Sequence, residues 1–196
     1  MDFQGFGKIA RLTRRCVVTE KIDGTNAQVA IFPEQELLAG QGRPLFGYIA
    51  QRDGLVMYAG SRTRLITPEA DNFGFAKWAQ SHAEDLFSLG VGRHFGEWWG
   101  SGIQRGYGLT EKRFSLFNTA LWSDVRPACC GVVPVLYDGD FATSEIDMCI
   151  QALLVAGSVA APGFMNPEGV IVYHTAGNVY FKKTLDKDSE HKGLAR

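Results

Sequence analysis

The sequence is poor in the features that staple, anchor or metallate a protein. Its four cysteines, Cys16, Cys129, Cys130 and Cys149, have neither a metal-ligand spacing nor a disulfide framework, so a reduced, cytoplasmic protein is expected. The four histidines, His82, His94, His174 and His191, are scattered, which argues against a zinc site. No apolar run approaches the ~20 residues needed to span a bilayer, and the start of the chain has no apolar leader core. Neither a membrane anchor nor a signal peptide is expected. Charge of one sign is not in excess either. The formal net charge is −1, so any contact with nucleic acid must come from a local patch. The 196 residues, 45% hydrophobic, fit one well-packed domain or two small ones, and no linker composition interrupts the chain.

What is present begins with Thr19-Glu20-Lys21-Ile22-Asp23-Gly24-Thr25-Asn26. The apolar runs Cys16–Val18 and Ala27–Phe32 flank it and read as two strands of a hairpin, with Lys21 at the turn. Gly24 permits a tight turn and close approach of a ligand. A lysine nucleophile must lose its proton, which costs an ordinary lysine about 4.6 kcal/mol at neutral pH. Neighbouring cations or burial lower that cost. Upstream, Lys8, Arg11, Arg14 and Arg15 form either a solvated surface or an arm that meets phosphates.

Downstream, Glu34 to Pro44 reads as a loop. Phe46–Arg52 and Val56–Ser61 read as strands around an Asp53-Gly54 turn. The second strand delivers Arg62 and Arg64, which serve as surface charge or as a phosphate or ribose clamp. Asn72 predicts an N-cap for a helix over Phe73–Leu89, stopped by Gly90, with Phe75, Trp78, Ala79 and Leu86 inward. Glu97 lies among aromatics in Arg93–Gly100, where a carboxylate needs a partner. Arg93 or Arg105 is the structural choice. The glycines at 100, 102, 106 and 108 read as a flexible loop. Arg113–Ala120 reads as a strand in which Phe114 or Phe117 either packs in the core or stacks on a base. Ser144 and Asp147 resemble a capping box for a helix over Glu145–Ala156, ended by Gly157, with Ile146, Ile150, Leu153 and Leu154 as its apolar stripe. Pro167–Tyr173, the turn at Ala176-Gly177-Asn178 and Val179–Thr184 form a closing hairpin that brings Glu168 and Lys182 to the same end. A polar, frayed tail follows.

Taken in order, EKIDGTN (20–26), SRT (61–63), FGEWWG (95–100), RFSLFN (113–118), PEGVIVY (167–173) and YFKKT (180–184) resemble six motifs of the covalent nucleotidyltransferases, the ligases and capping enzymes. Asn26 is similar to the asparagine of phage and bacterial ATP-dependent RNA ligases, where DNA ligases and capping enzymes usually carry arginine. The resemblance implies an α+β, ATP-grasp-like adenylation domain of two antiparallel sheets with flanking helices and a nucleotide pocket. It implies ATP and Mg²⁺ (or Mn²⁺) as cofactors, and RNA 5′-phosphate and 3′-hydroxyl ends as substrates, in a bacterial or phage-infected cell. Lys21 would become lysyl-AMP, with Lys182 and Lys183 as catalytic cations. The backbone around Glu20 and Ile22 would read the adenine edge, and Phe117, or Phe114, would stack on it. Glu97 would hold the ribose, with Asn26 and Arg62 on ribose, phosphate or the incoming ends, and Glu168 would hold the metal. Lys182 and Lys183 are adjacent, where the family often has Lys-x-Lys. A single minimal domain over 1–196 is expected, without a C-terminal OB-fold, so a protein partner supplying RNA affinity is a further expectation. A DNA ligase or capping-type enzyme, or a domain that self-adenylylates but needs a partner to seal, are the alternatives.

Overall fold

Period-two burial sorts the strands of the chain into two sheets. The computed structural model describes Asp2 and residues 4–35, 47–122 and 124–185. The chain divides into two compact units, residues 1–22 with 134–196, and residues 23–133. It crosses from one to the other after Ile22 and after Val133, at neither of which the sequence carries a linker signal.

The first unit holds β1 (Arg15–Lys21), β9 (Val135–Asp140), β10 (Gly169–His174) and β11 (Val179–Thr184) in an antiparallel sheet of order β11-β10-β1-β9. Cys16, Val18, Val170 and Val172 face one side and pack on Ile146, Cys149, Ile150 and Leu153 of α3 (Thr143–Ala156). Leu154, expected in that stripe, falls on the helix rim and is half exposed. The expected capping box does not form. The N-cap position is Ala142, which has no side-chain acceptor; Ser144 lies inside the first turn and Asp147 pairs with Lys183. Gly157 ends α3 with φ +82, as its place in the sequence predicts. The closing hairpin is present, in the register Gly169↔Thr184 to His174↔Val179.

The second unit holds a seven-stranded sheet of order β3-β4-β2-β6-β7-β8, with β5 added on β4. Its strands are β2 (Thr25–Pro33), β3 (Ala50–Arg52), β4 (Leu55–Ser61), β5 (Leu65–Ile66), β6 (Gly92–Gly100), β7 (Lys112–Leu116) and β8 (Cys130–Val132). All pairs are antiparallel except β7–β8. Asp53 (φ +50) and Gly54 (φ +73) make the predicted turn between β3 and β4. Val29, Ile31, Met57, Ala59, Trp98, Phe114 and Leu116 line the core with Phe75, Ala76 and Ala79 of α1 (Phe75–Ser81) and Leu86 of α2 (Ala83–Leu86).

Four expectations change here. β1 and β2 are not a hairpin: β1 pairs with β10 and β9, whereas β2 pairs with β4 and β6. The predicted long helix is broken at His82, because the Trp78 carbonyl also accepts from Ser81 Oγ and lies 2.8 Å from His82 Nδ1, drawing side chains into the backbone ladder. Its N-cap position is Gly74, not Asn72, and the first-turn amides of Ala76 (2.7 Å) and Lys77 (3.1 Å) donate to the Asp71 carboxylate. The expected strand over 113–120 ends at Leu116. Strands β5, β8 and β9 were not legible in the sequence. The loop over 36–46, the strand start at Phe46 and the tail from Asp186 lie outside the described residues. Among the described residues, no helix is long and apolar enough to cross a membrane.

Candidate active site

Lys21 is the last residue of β1, a strand flanked by β10 and, as far as Thr19, by β9, and it pairs in register with Gly169. Its Nζ donates to Glu168 Oε2 at 2.5 Å, and both side chains are largely buried. Gly169 is required where it stands. Its φ is +149, and a Cβ there would lie 2.2 Å from the Lys183 carbonyl oxygen. Glu20, one residue before the lysine, is 1% exposed and fully engaged. Ser158 Oγ donates to its Oε1 (2.6 Å), and the amides of Val159 and Ala160 donate to its Oε2 (both 2.8 Å). Its side chain thus clamps the end of β1 to the segment after α3, leaving only its backbone for the predicted role. Ile22 is buried as well.

The two adjacent lysines of β11 separate by strand geometry, since successive residues face opposite sides. Lys183 pairs with Val170, on the face that α3 covers, and its Nζ donates to Asp147 Oδ1 at 2.7 Å. Lys182 pairs with Ile171, which in turn pairs with Thr19, and so shares the face of Lys21. It is exposed and has no hydrogen-bond or ion-pair partner among the described residues. Both had been expected to act as catalytic cations. Only Lys182 is on the lysine's face. An apolar cavity of about 460 Å³, lined by Leu12, Phe141, Ile146, Val172, His174 and Phe181, lies on the α3 side of this sheet.

In the second unit the register places Asn26 beside Glu97, with Ser115 beyond it. These positions and Phe95 share the sheet face away from the core residues Ala27, Val29 and Trp98. Glu97 Oε1 accepts from the Gly24 amide at 3.1 Å, which ties the acid to the turn after Lys21's strand. Gly24 has no room for a side chain: a Cβ would meet the Trp98 carbonyl oxygen at 2.5 Å and Trp99 Cβ at 2.8 Å. Phe114 is completely buried in the core, whereas Phe117 follows β7, is 39% exposed and hydrogen-bonds through its amide to the Phe95 carbonyl at 3.0 Å. Burial leaves Phe117 as the ring open to a ligand. Arg62 follows Ser61, the partner of Ala27, and is exposed without a hydrogen-bond or ion-pair partner among the described residues. Arg64 instead donates to the Ala70 carbonyl at 3.0 Å and is a loop staple.

The glycine-rich loop after β6 is built rather than loose. Tyr107, at φ +53, is buried against Trp99, and its hydroxyl accepts from the Asp23 amide at 2.8 Å. Arg105 Nε donates to Asp23 Oδ2 at 3.1 Å. Arg93, the other candidate partner for Glu97, donates to Gln28 Oε1 at 3.2 Å. The sequence reading missed Tyr107, the Asp23–Arg105 pair and Ser158. A serine directly after a helix-stopping glycine hinted at the last; nothing in the sequence singled out Tyr107.

Among the described residues no group of three or more His, Cys, Asp or Glu side chains gathers as a metal cage. Glu168 does fit a divalent ion. It is a hard oxygen donor that already faces a cation, the Lys21 ammonium, and Mg²⁺ is commonly held by one or two carboxylates together with phosphates and water.

A family model described as RNA ligase matches residues 14–186. Among solved structures the chain is similar to the Naegleria gruberi RNA ligase in an apo variant, with a TM-score of 0.56 and 19% identity over 88% of this chain and 50% of that one. It is also similar to a variant of that protein solved with ATP and Mn (TM-score 0.53, 18% identity, 88% and 49% coverage). A further variant, solved with AMP and Mn, gives a TM-score of 0.56 at 19% identity with 88% and 50% coverage. At such identity the likeness is one of fold, and the chain spans about half the length of those structures. No curated protein sequence gives a match.

Proposed function

The chain belongs to the RNA ligase family, and on that premise we propose that it is an ATP-dependent RNA ligase whose nucleophile is Lys21. Lys21 Nζ attacks the α-phosphorus of ATP. A nitrogen–phosphorus bond forms, the bond from that phosphorus to the β-phosphate oxygen breaks, pyrophosphate leaves, and the lysine ammonium gives up two of its three protons to solvent. AMP then passes to the 5′-phosphate of an RNA end, and a 3′-hydroxyl attacks that end and releases AMP. Negative charge sits on phosphoryl oxygens throughout, so fixed cations supply much of the catalysis. Lys182, on the sheet face that carries Lys21, is the cation assigned to that work. Lys183 has a lesser share, through Asp147. Mg²⁺ or Mn²⁺ would be held by Glu168 with phosphates and water, and supplies further positive charge to those oxygens when bound.

Roles for the nucleoside follow from the residues of the second unit. Phe117 stacks on the adenine. Glu97 accepts from ribose hydroxyls, while Asn26 and Arg62 hold ribose or phosphate. The observation that carries the reading is the Lys21–Glu168 pair at a strand end, with Lys182 in the next row of the same face. The test is mass spectrometry of the purified protein after incubation with ATP and Mg²⁺, beside Lys21→Ala. An acid-labile AMP adduct on the wild type and none on the variant is the expected result. A folded wild type that forms no adduct with ATP, GTP or NAD overturns it. Because the chain matches about half of the solved ligases, sealing of 5′-phosphate to 3′-hydroxyl RNA ends is assayed separately from adduct formation. An adduct without sealing supports a domain that draws its RNA affinity from a partner.

A further inference from the structure

The sheet face that carries Lys21 extends beyond the groups used in adenylylation. Lys21, Gly169 and Thr184 form one row across β1, β10 and β11, and Thr19, Ile171 and Lys182 form the next. Val17, Tyr173 and Tyr180 form the row after that. Rows on one face are two residues apart, so the tyrosine row lies ~13 Å from the Lys21 row, with Lys182 halfway.

The tyrosines are poorly explained by packing. Tyr180 is 69% exposed on an edge strand, and such a ring gains little by being there. It stacks on Tyr173 with ring centroids 4.6 Å apart and planes 25° from parallel. The Tyr173 hydroxyl donates to Asn178 Oδ1 at 3.0 Å, which fixes the inner ring on the turn of its own hairpin. The pair is therefore an ordered aromatic stack open to solvent. Beside it Lys182 is exposed and unpaired among the described residues, whereas Arg15, farther along the face, is matched by Asp138 at 2.6 Å. An open ring next to an unmatched cation is complementary to a base next to a phosphate.

We propose that Tyr180, backed by Tyr173, is a stacking platform for an unpaired RNA base close to the end being joined, with Lys182 beside the intervening phosphate. The inference rests on the adenylylating reading of Lys21. It deepens that reading by choosing the substrate: single-stranded ends or an open loop, rather than a nicked duplex whose bases are already stacked and paired. With the reactive phosphate at Lys21, a strand of ~3.4 Å per stacked nucleotide brings a base to the tyrosines within about four nucleotides of its end.

The experiment is fluorescence anisotropy of full-length wild type, Tyr180→Ala, Tyr180→Leu and Tyr180→Phe. The probes are a 5′-phosphorylated single-stranded oligoribonucleotide, the same strand made abasic at its second to fourth nucleotides, and a nicked duplex. AMP-adduct formation and thermal unfolding are measured on each protein. Tyr180→Ala and Tyr180→Leu are expected to bind the intact single strand about tenfold or more weakly than wild type, in line with the loss of one base–aromatic stack. Tyr180→Phe retains wild-type affinity, all four proteins bind the abasic strand and the nicked duplex alike, and adduct formation is unchanged. Equal affinity of wild type and Tyr180→Leu for the intact strand overturns the proposal, as does a loss that is the same on the abasic strand or the nicked duplex. A change of oligomeric state without a change of RNA affinity also overturns it, in favour of a contact between copies. If the wild type forms no adduct, the adenylylating reading fails, and the anisotropy result still decides whether the tyrosines stack on RNA.

Discussion

At the scale of the residue, a strand turns two neighbouring lysines to opposite sides, and the proposed mechanism gives them different work. Lys182→Ala is expected to slow AMP-adduct formation about 10²–10³-fold, the usual cost of removing a cation aimed at developing phosphoryl charge. Lys183→Ala is expected to cost less than about tenfold, since its partner Asp147 is exposed and such a pair contributes little. Single-turnover rates with ATP check both, and equal losses would contradict the division of labour. The resemblance put Lys182 first and Lys183 as a second contact, but the sequence could not place them on opposite faces, because period two has meaning only once β11 has a partner and a covered face. Phe114 stood as the alternative to Phe117, and α1 packing over Phe114 separates them.

At the scale of the element, β1 is a strand whose end is anchored so that one side chain can be aimed. Glu20 makes the anchor, and Glu20→Ala leaves Ser158 Oγ and two amides without their charged acceptor. A loss of about 2–4 kcal/mol is expected, read as a lower denaturation midpoint, together with slower adduct formation as Lys21 loses its fixed position. The matching test on the other side of the motif is Gly24→Ala. Its Cβ would sit 2.5 Å from the Trp98 carbonyl, and a backbone shift costing about 1–3 kcal/mol is expected. That loss appears as a fall of roughly 2–10 °C in the unfolding temperature. Both strands of the motif were legible from their apolar runs. Their pairing was not: three residues, Ile22 to Gly24, are enough for a hairpin, and only the competing partners β10 and β6 send β1 and β2 to different sheets.

At the scale of the whole molecule, stability carries a pH dependence that the sequence did not announce. Burial pushes His94 below the ordinary histidine value, against the opposing effect of its hydrogen bond to the Gly90 carbonyl. The unfolded chain therefore holds more protons than the folded one at mildly acidic pH. The stabilisation is complete above the unfolded value, ~6.5, and is lost as pH falls from there towards the folded value. Thermal unfolding between about pH 7.5 and pH 5.5 should show a smaller drop for His94→Gln than for wild type, while an equal drop would assign the dependence elsewhere. His94 read in the sequence as one of four scattered histidines, and its burial against Trp122 exists only in the folded unit. By itself the sequence determined the family, through six motifs in order, and most of the strands, because both depend on residue types at short spacing. Only the tertiary structure decided which face Lys182 takes, which phenylalanine stays open, that Asp71 rather than Asn72 accepts from the first-turn amides of α1, and that Tyr173 and Tyr180 stack on the face that carries Lys21. Each of those depends on contacts between residues far apart in the chain, and no local pattern encodes them.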